Sequence, residues 1–215
     1  MGHDDFATEP VPGLPERPPK DEAILWQGRP DPWALARDAL LIRPVAAYFA
    51  VLALWRGIVA GDEGGFVAGL AGASWYVAIG VVACGLLYAV AWAQARASLY
   101  TITNKRVAMR VGAALTVTFN LPYSQIETAG LALAKDGTGS IALKLKGANT
   151  VSYLILWPHV RPWRIAKTEP TLRAIPDAAN VARILAEAAE SRLSMPVVTA
   201  KQGARAGAAT AFAAE

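Results

Sequence analysis

Few residues in this 215-residue chain could do acid–base or metal chemistry: two histidines, His3 and His159, and one cysteine, Cys84. A general base needs a proton to take and a group to orient it, and His159 has no carboxylate or nucleophile near it in sequence. His3 lies in a proline-rich leader. A lone cysteine leaves no intramolecular disulfide and no cysteine-based metal cluster. Cys84 falls inside an apolar run, where a thiol acts as a small packing residue. This inventory points to binding rather than catalysis, so no enzyme activity, cofactor or metal site is expected.

The elements that carry these residues are dominated by two apolar stretches, Leu40–Ala60 and Phe66–Gln94, joined by Gly61-Asp62-Glu63-Gly64-Gly65. Each exceeds or matches the ~20 helical residues needed to cross a hydrocarbon core, and the connection is too short for a domain, so a two-helix membrane hairpin is predicted over residues 39–95. The second stretch has no charged side chain. In the first, Arg43 and Arg56 lie inside the ends and Pro44 suits only a first turn, leaving Val45–Trp55 as the unbroken apolar centre. Both arginines can snorkel to headgroups; a shallow, interfacial first helix is the alternative. Neither stretch contains Asp, Glu or His, which argues against an ion pathway and against an imidazole ligand for a pigment.

Orientation follows from the Lys/Arg bias. Arg29, Arg37 and Arg43 precede the hairpin and Arg96, Lys105, Arg106 and Arg110 follow it, whereas the turn offers Arg56 beside Asp62 and Glu63. Both termini are therefore expected in the cytoplasm of a multi-pass inner-membrane protein. Trp33, Tyr48, Trp55, Trp75 and Trp92 fall near the expected boundaries, where amphipathic rings settle. No cleavable signal peptide is expected, because Met1–Asp38 is polar, acidic and proline-rich. Along the second stretch, Gly69, Gly72, Ala73, Gly80, Ala83, Cys84 and Gly85 recur at helical spacing, which permits close helix approach. That face packs on the first helix, or on a client helix or a second copy of the chain. Gly80 and Gly85 are accordingly candidate partner-binding positions.

Residues 1–38 form a proline-rich arm with eight acids against four bases. Its end, Ile24-Leu25-Trp26-Gln27-Gly28-Arg29-Pro30, is an apolar cluster closed by a Gly/Pro turn, and it either packs on the chain's own domain or binds a partner, with Trp26 and Gly28 as candidates. From Ala95 onward fifteen bases face seven acids. A basic domain tethered to a bilayer most simply faces anionic lipid, and no nucleic-acid motif accompanies the charge. Lys105, Arg106 and Arg110 form the candidate membrane-surface cluster; the alternative is that they only fix topology.

After the hairpin the pattern turns to alternation. Strands are predicted at Ser98–Thr103 and Arg106–Val111 around an Asn104-Lys105 turn, at Leu115–Leu121, Ile126–Ala134, Ile141–Lys146 and Val151–Leu156. Residues 157–176 read as irregular, and Val181, Ile184, Leu185 and Ala188 predict a helix capped by Asp177 and stopped by Pro196. An α+β domain over residues 96–195, a small β-barrel plugged by a C-terminal helix, follows, with an Ala/Gly-rich disordered tail over 196–215.

The string Leu99-Tyr100-Thr101-Ile102-Thr103-Asn104-Lys105-Arg106-Val107, with the strand, Gly-rich turn and terminal helix beyond it, resembles bacterial pleckstrin-homology domains that sit behind transmembrane helices. Glu9-Pro10-Val11-Pro12-Gly13-Leu14-Pro15-Glu16, Ile24-Leu25-Trp26-Gln27-Gly28 and Arg43-Pro44-Val45-Ala46-Ala47-Tyr48-Phe49 resemble the PuhB-type photosynthetic-complex assembly proteins of purple bacteria. The resemblance implies a non-enzymatic membrane factor that aids assembly of the photosynthetic reaction centre and its core antenna. Its partners would be reaction-centre or core-antenna polypeptides and membrane lipids, in the photosynthetic intracytoplasmic membrane. It supplies no catalytic residues; a general lipid-binding or envelope-stress membrane adaptor is the alternative.

Overall fold

A computed structural model describes residues 11–14, 16–113, 116–147 and 152–194. After the arm come strand β1 (Ile24–Gly28), helix α1 (Pro32–Asp38) and the long helix α2 (Ile42–Ala97). Asp31 caps α1 through its side chain, which accepts from the Ala34 N–H at 2.7 Å, and Pro32 opens the helix, where a missing N–H costs nothing.

Helix α2 runs for 56 residues and is long and apolar enough to cross a membrane. Its backbone breaks at a single residue, Gly65, with φ 78° and ψ −176°, a conformation that side-chain-bearing residues avoid. Gly61–Gly64, read in the sequence as part of a turn, are helical. The segments on either side of Gly65 lie against one another: a Cβ built on Gly69 would sit 2.7 Å from the Gly57 carbonyl oxygen, and one on Gly80 2.7 Å from Phe49 Cβ. Pro44 occupies the first turn, as its ring demands.

Strands β2 (Leu99–Thr103), β3 (Arg106–Val111) and β4 (Val117–Pro122) follow, and the first sheet has the order β1-β2-β3-β4, antiparallel throughout. A second antiparallel sheet, β5-β6-β7, contains β5 (Ile126–Leu133), β6 (Gly139–Leu145) and β7 (Thr171–Ile175). Helix α3 (Tyr153–Leu156) lies between β6 and β7, and α4 (Ala178–Ser194) closes the domain. The core joins both sheets to α4: Tyr100, Ile102, Val107, Met109, Ile141, Leu143 and Leu172 meet Val181, Leu185 and Ala188. Each large apolar side chain so buried contributes ~1.5–3 kcal/mol.

The predicted barrel is not closed. Among the described residues the strands form two separate sheets, because the 3-10 turn Tyr123–Gln125 breaks the ladder between β4 and β5 and α4 fills the space between the layers. Of the strand predicted at Val151–Leu156, Val151 lies outside the described residues and Tyr153–Leu156 form α3 instead, and β7 lies inside the stretch read as irregular. All five β7 residues are buried, Arg173 included, so β7 lacks the alternation that marks a half-exposed strand. The α4 prediction agrees in position and face: the Asp177 carbonyl accepts from the N–H groups of Asn180 and Val181. Leu115, Pro196 and the tail lie outside the described residues.

Candidate functional site

The functional geometry concentrates where α2 runs into the domain. Ser98, the first residue beyond α2, is fully buried and its Oγ lies 2.8 Å from Nε2 of the equally buried His159; Tyr100 Oη lies 2.5 Å from Nδ1. Tyr100 Oη accepts from the Arg173 backbone N–H at 3.2 Å, so its own proton is free to go to Nδ1. In this assignment Nε2 carries the ring proton and donates to Ser98. Burial, with the Arg173 charge as a lesser cause, holds the imidazole neutral by pushing its pKa down to about 3.

A Ser–His pair at this distance resembles an activated nucleophile, but the tautomer is the wrong one for taking the Ser98 proton, and neither side chain is exposed to a substrate. The cluster is a structural junction. The Arg173 guanidinium donates to Pro158 O at 3.2 Å and to Asp38 O at 2.8 Å, so β7 is tied to the loop before it and to the end of α1. Arg37, in the last turn of α1, forms ion pairs with Asp38 and with Asp136 in the β5–β6 turn. Ala34, Leu35 and Ala36 of α1 pack with Ala91, Ala95 and Ala174. The end of α2, α1 and the second sheet are thus one unit.

The arm is bound to the same domain. Leu14 is fully buried, Gln27 Nε2 donates to Pro12 O at 2.8 Å, and the Asn104 side chain accepts from the Ala23 N–H. Glu22 accepts from Arg106 Nε at 2.9 Å and from Thr103 Oγ1 at 2.9 Å, and Asp21 pairs with Lys105, which pulls the Asp21 carboxyl below its ordinary range. Two of the three bases expected to face lipid therefore face the acids of the arm, and the third, Arg110, is buried. Trp26 packs on the core from β1, and its indole covers Gly28 so closely that a Cβ there would run into the ring. Gly80 faces Phe49 inside the folded-back α2, while a Cβ on Gly85 would meet nothing within 4 Å. The structure thus separates the two candidate glycines, one internal and one outward.

The residues that sequence reasoning missed are Ser98, Tyr100 and Arg173. Their partners are distant in the chain, and the available signals were weak: a histidine in an otherwise aromatic and apolar run, and an arginine between Leu172 and Ala174.

Two sheets closed by a C-terminal helix, behind a long apolar helix, define a pleckstrin-homology-like domain joined to a membrane-competent segment. The Bacterial PH domain family matches residues 40–189, and the chain belongs to that family. The match begins in front of α2 and so includes the long helix as well as both sheets. The chain is also 46% identical over 215 residues, 99% of its length and 100% of the relative's, to a protein of Rhodobacter capsulatus described as an uncharacterized 23.7 kDa protein in the puhA 5' region. No solved structure matches.

Proposed function

We propose that this protein is a non-enzymatic membrane factor for assembly of the photosynthetic reaction centre and its core antenna, acting by holding client polypeptides at the bilayer. The observation that carries this reading is the 46% identical relative, matched over 100% of its length, whose description places it in the puhA 5' region, a position that fits a photosynthesis role. Membership of the bacterial PH domain family fits a binding role, toward protein or lipid.

In this reading α2 crosses the membrane twice, turning at Gly65, with both termini in the cytoplasm because the bases flank its ends. Large apolar side chains cover its outside, among them Phe66 (85% exposed), Val67, Trp75 and Val81, and exposed apolar surface on this scale calls for lipid or a partner helix. Gly85 marks an outward position where such a helix would approach closely. The domain, rooted on the end of α2 by the Ser98–His159–Tyr100 cluster, would hold a soluble client segment near the membrane.

The test is the near-infrared absorption of membranes from a phototrophic host lacking the gene, with the gene restored in trans. Loss of reaction-centre and core-antenna bands that returns on complementation is the expected result. An unchanged spectrum would sink the assembly role and favour a general membrane adaptor.

A further inference from the structure

We propose that residues 153–167 form a second membrane contact, a loop that inserts its aromatic and aliphatic tips into the headgroup layer of the same bilayer that α2 crosses. This rests on the membrane-spanning reading of α2. The loop runs from α3 to the start of the chain leading into β7, and its root lies between the two ends of α2. His159 is bonded to Ser98, immediately beyond the last residue of α2, and Pro158 O shares the Arg173 guanidinium with Asp38 O, four residues before Ile42. Arg161 and Pro162 line a cavity of about 420 Å³ together with Asp38, which places the outer part of the loop beside the same end of the helix.

What projects from that root suits an interface. Trp163 is 91% exposed, Leu154 84% and Ile165 70%, with Ile155 and Trp157 also exposed. Every residue from Arg161 to Lys167 is exposed. A soluble domain gains nothing by presenting two tryptophans and three large aliphatic side chains to water, whereas tryptophan settles at the headgroup level and aliphatic tips gain from the acyl boundary.

The charges agree. Between Tyr153 and Lys167 there is no Asp or Glu, and Arg161, Arg164 and Lys167 alternate with the apolar tips. Glu169, largely buried, holds Arg161 at 2.9 Å from behind the loop. Arg164 and Lys167 can keep their stems among the apolar groups while their heads meet anionic headgroups. The Lys105–Arg106 turn, by contrast, is matched by Asp21 and Glu22 of the arm. The loop is therefore the basic, apolar face that the domain offers to lipid.

The test uses the full chain in vesicles of phosphatidylcholine and phosphatidylglycerol. With Cys84→Ala as background, single cysteines carrying a nitroxide are placed by Trp163→Cys, Ile165→Cys, Val81→Cys and, on the exposed side of α4, Glu190→Cys. Collisions with oxygen, which concentrates in lipid, are compared with collisions with a water-soluble nickel chelate. Oxygen-dominated relaxation at 163 or 165, with nickel-dominated relaxation at 190, is the expected result. Nickel-dominated relaxation at both 163 and 165 while 81 stays in lipid overturns the loop contact and leaves the spanning reading intact. Nickel dominance at 81 overturns both. Shielding of 163 and 165 from both reagents would mean that protein covers the loop, and would also overturn the proposal.

Discussion

Ser98 and His159, 61 positions apart in the chain, meet through a 2.8 Å hydrogen bond in the fully buried interior, just where the long helix ends and the sheets begin. The same ring accepts the Tyr100 hydroxyl proton at Nδ1, a bond that requires a neutral imidazole, and burial supplies one. That gives a pH dependence with a definite sign. The folded-state pKa, about 3, lies below the ordinary 6.5, so the unfolded chain binds more protons between those values. The stabilisation is fully present above pH 6.5 and is lost as pH falls toward 3. Thermal unfolding of the detergent-solubilised protein should lose about 1.4 kcal/mol per pH unit within that window, and His159→Asn should be less stable at neutral pH but flatter in acid. An equal acid slope in the variant would show that other groups set it.

Arg173 offers a second probe of the junction. Its fork reaches Pro158 O and Asp38 O at once, which a lysine's single ammonium cannot reproduce. Arg173→Lys should lower stability by about 1–3 kcal/mol, the range for losing a hydrogen bond to a charged donor. Amide exchange in α1 should quicken with it, because the Asp38 tether would be lost.

Glu22 should matter more than its place in a proline-rich arm suggests. Its side chain is 4% exposed and serves both Arg106 and Thr103. Glu22→Ala leaves Arg106 Nε without its acceptor and the Thr103 hydroxyl with the Arg106 carbonyl, at a cost of about 1–3 kcal/mol. Trypsin should then cut faster after Lys20, which is exposed. Lys105→Ala, at an exposed pair, should leave the midpoint nearly unchanged.

The two glycines of α2 should respond differently. Gly80→Leu drives a side chain into Phe49 and should cost about 1–3 kcal/mol, as overpacking does. Gly85→Leu meets open space and should leave unfolding unchanged while lowering co-purification of a client helix. If Gly85→Leu instead lowers the unfolding midpoint as much as Gly80→Leu, the outward placement is wrong.

Much of the fold was legible because it follows from periodicity. Strands β2 and β3, two β-prone runs with Asn104 and Lys105 turning between them, and helix α4 with Val181, Leu185 and Ala188 inward, stand where residue type, turn signal and 3.6-residue spacing put them. Strand β7 was not legible, since it is short, is bracketed by Pro170 and Pro176, and owes its place to pairing with β6. The apolar run at 153–156 could not be told from a strand by pattern alone. The sequence left the basic cluster between facing lipid and only fixing topology because charge counts carry no direction; the acids that meet Lys105 and Arg106 sit more than 80 residues earlier.

The sequence by itself determined the two long apolar stretches, the two-residue rhythm beyond them and the poverty of catalytic groups, since these depend only on residue type and local spacing. Tertiary structure alone decided that the arm folds onto the domain, that Gly80 looks inward and Gly85 outward, and that Ser98, Tyr100, His159 and Arg173 share one buried cluster. Each of those outcomes depends on contacts between segments far apart in the chain, where burial, and not propensity, selects the partner.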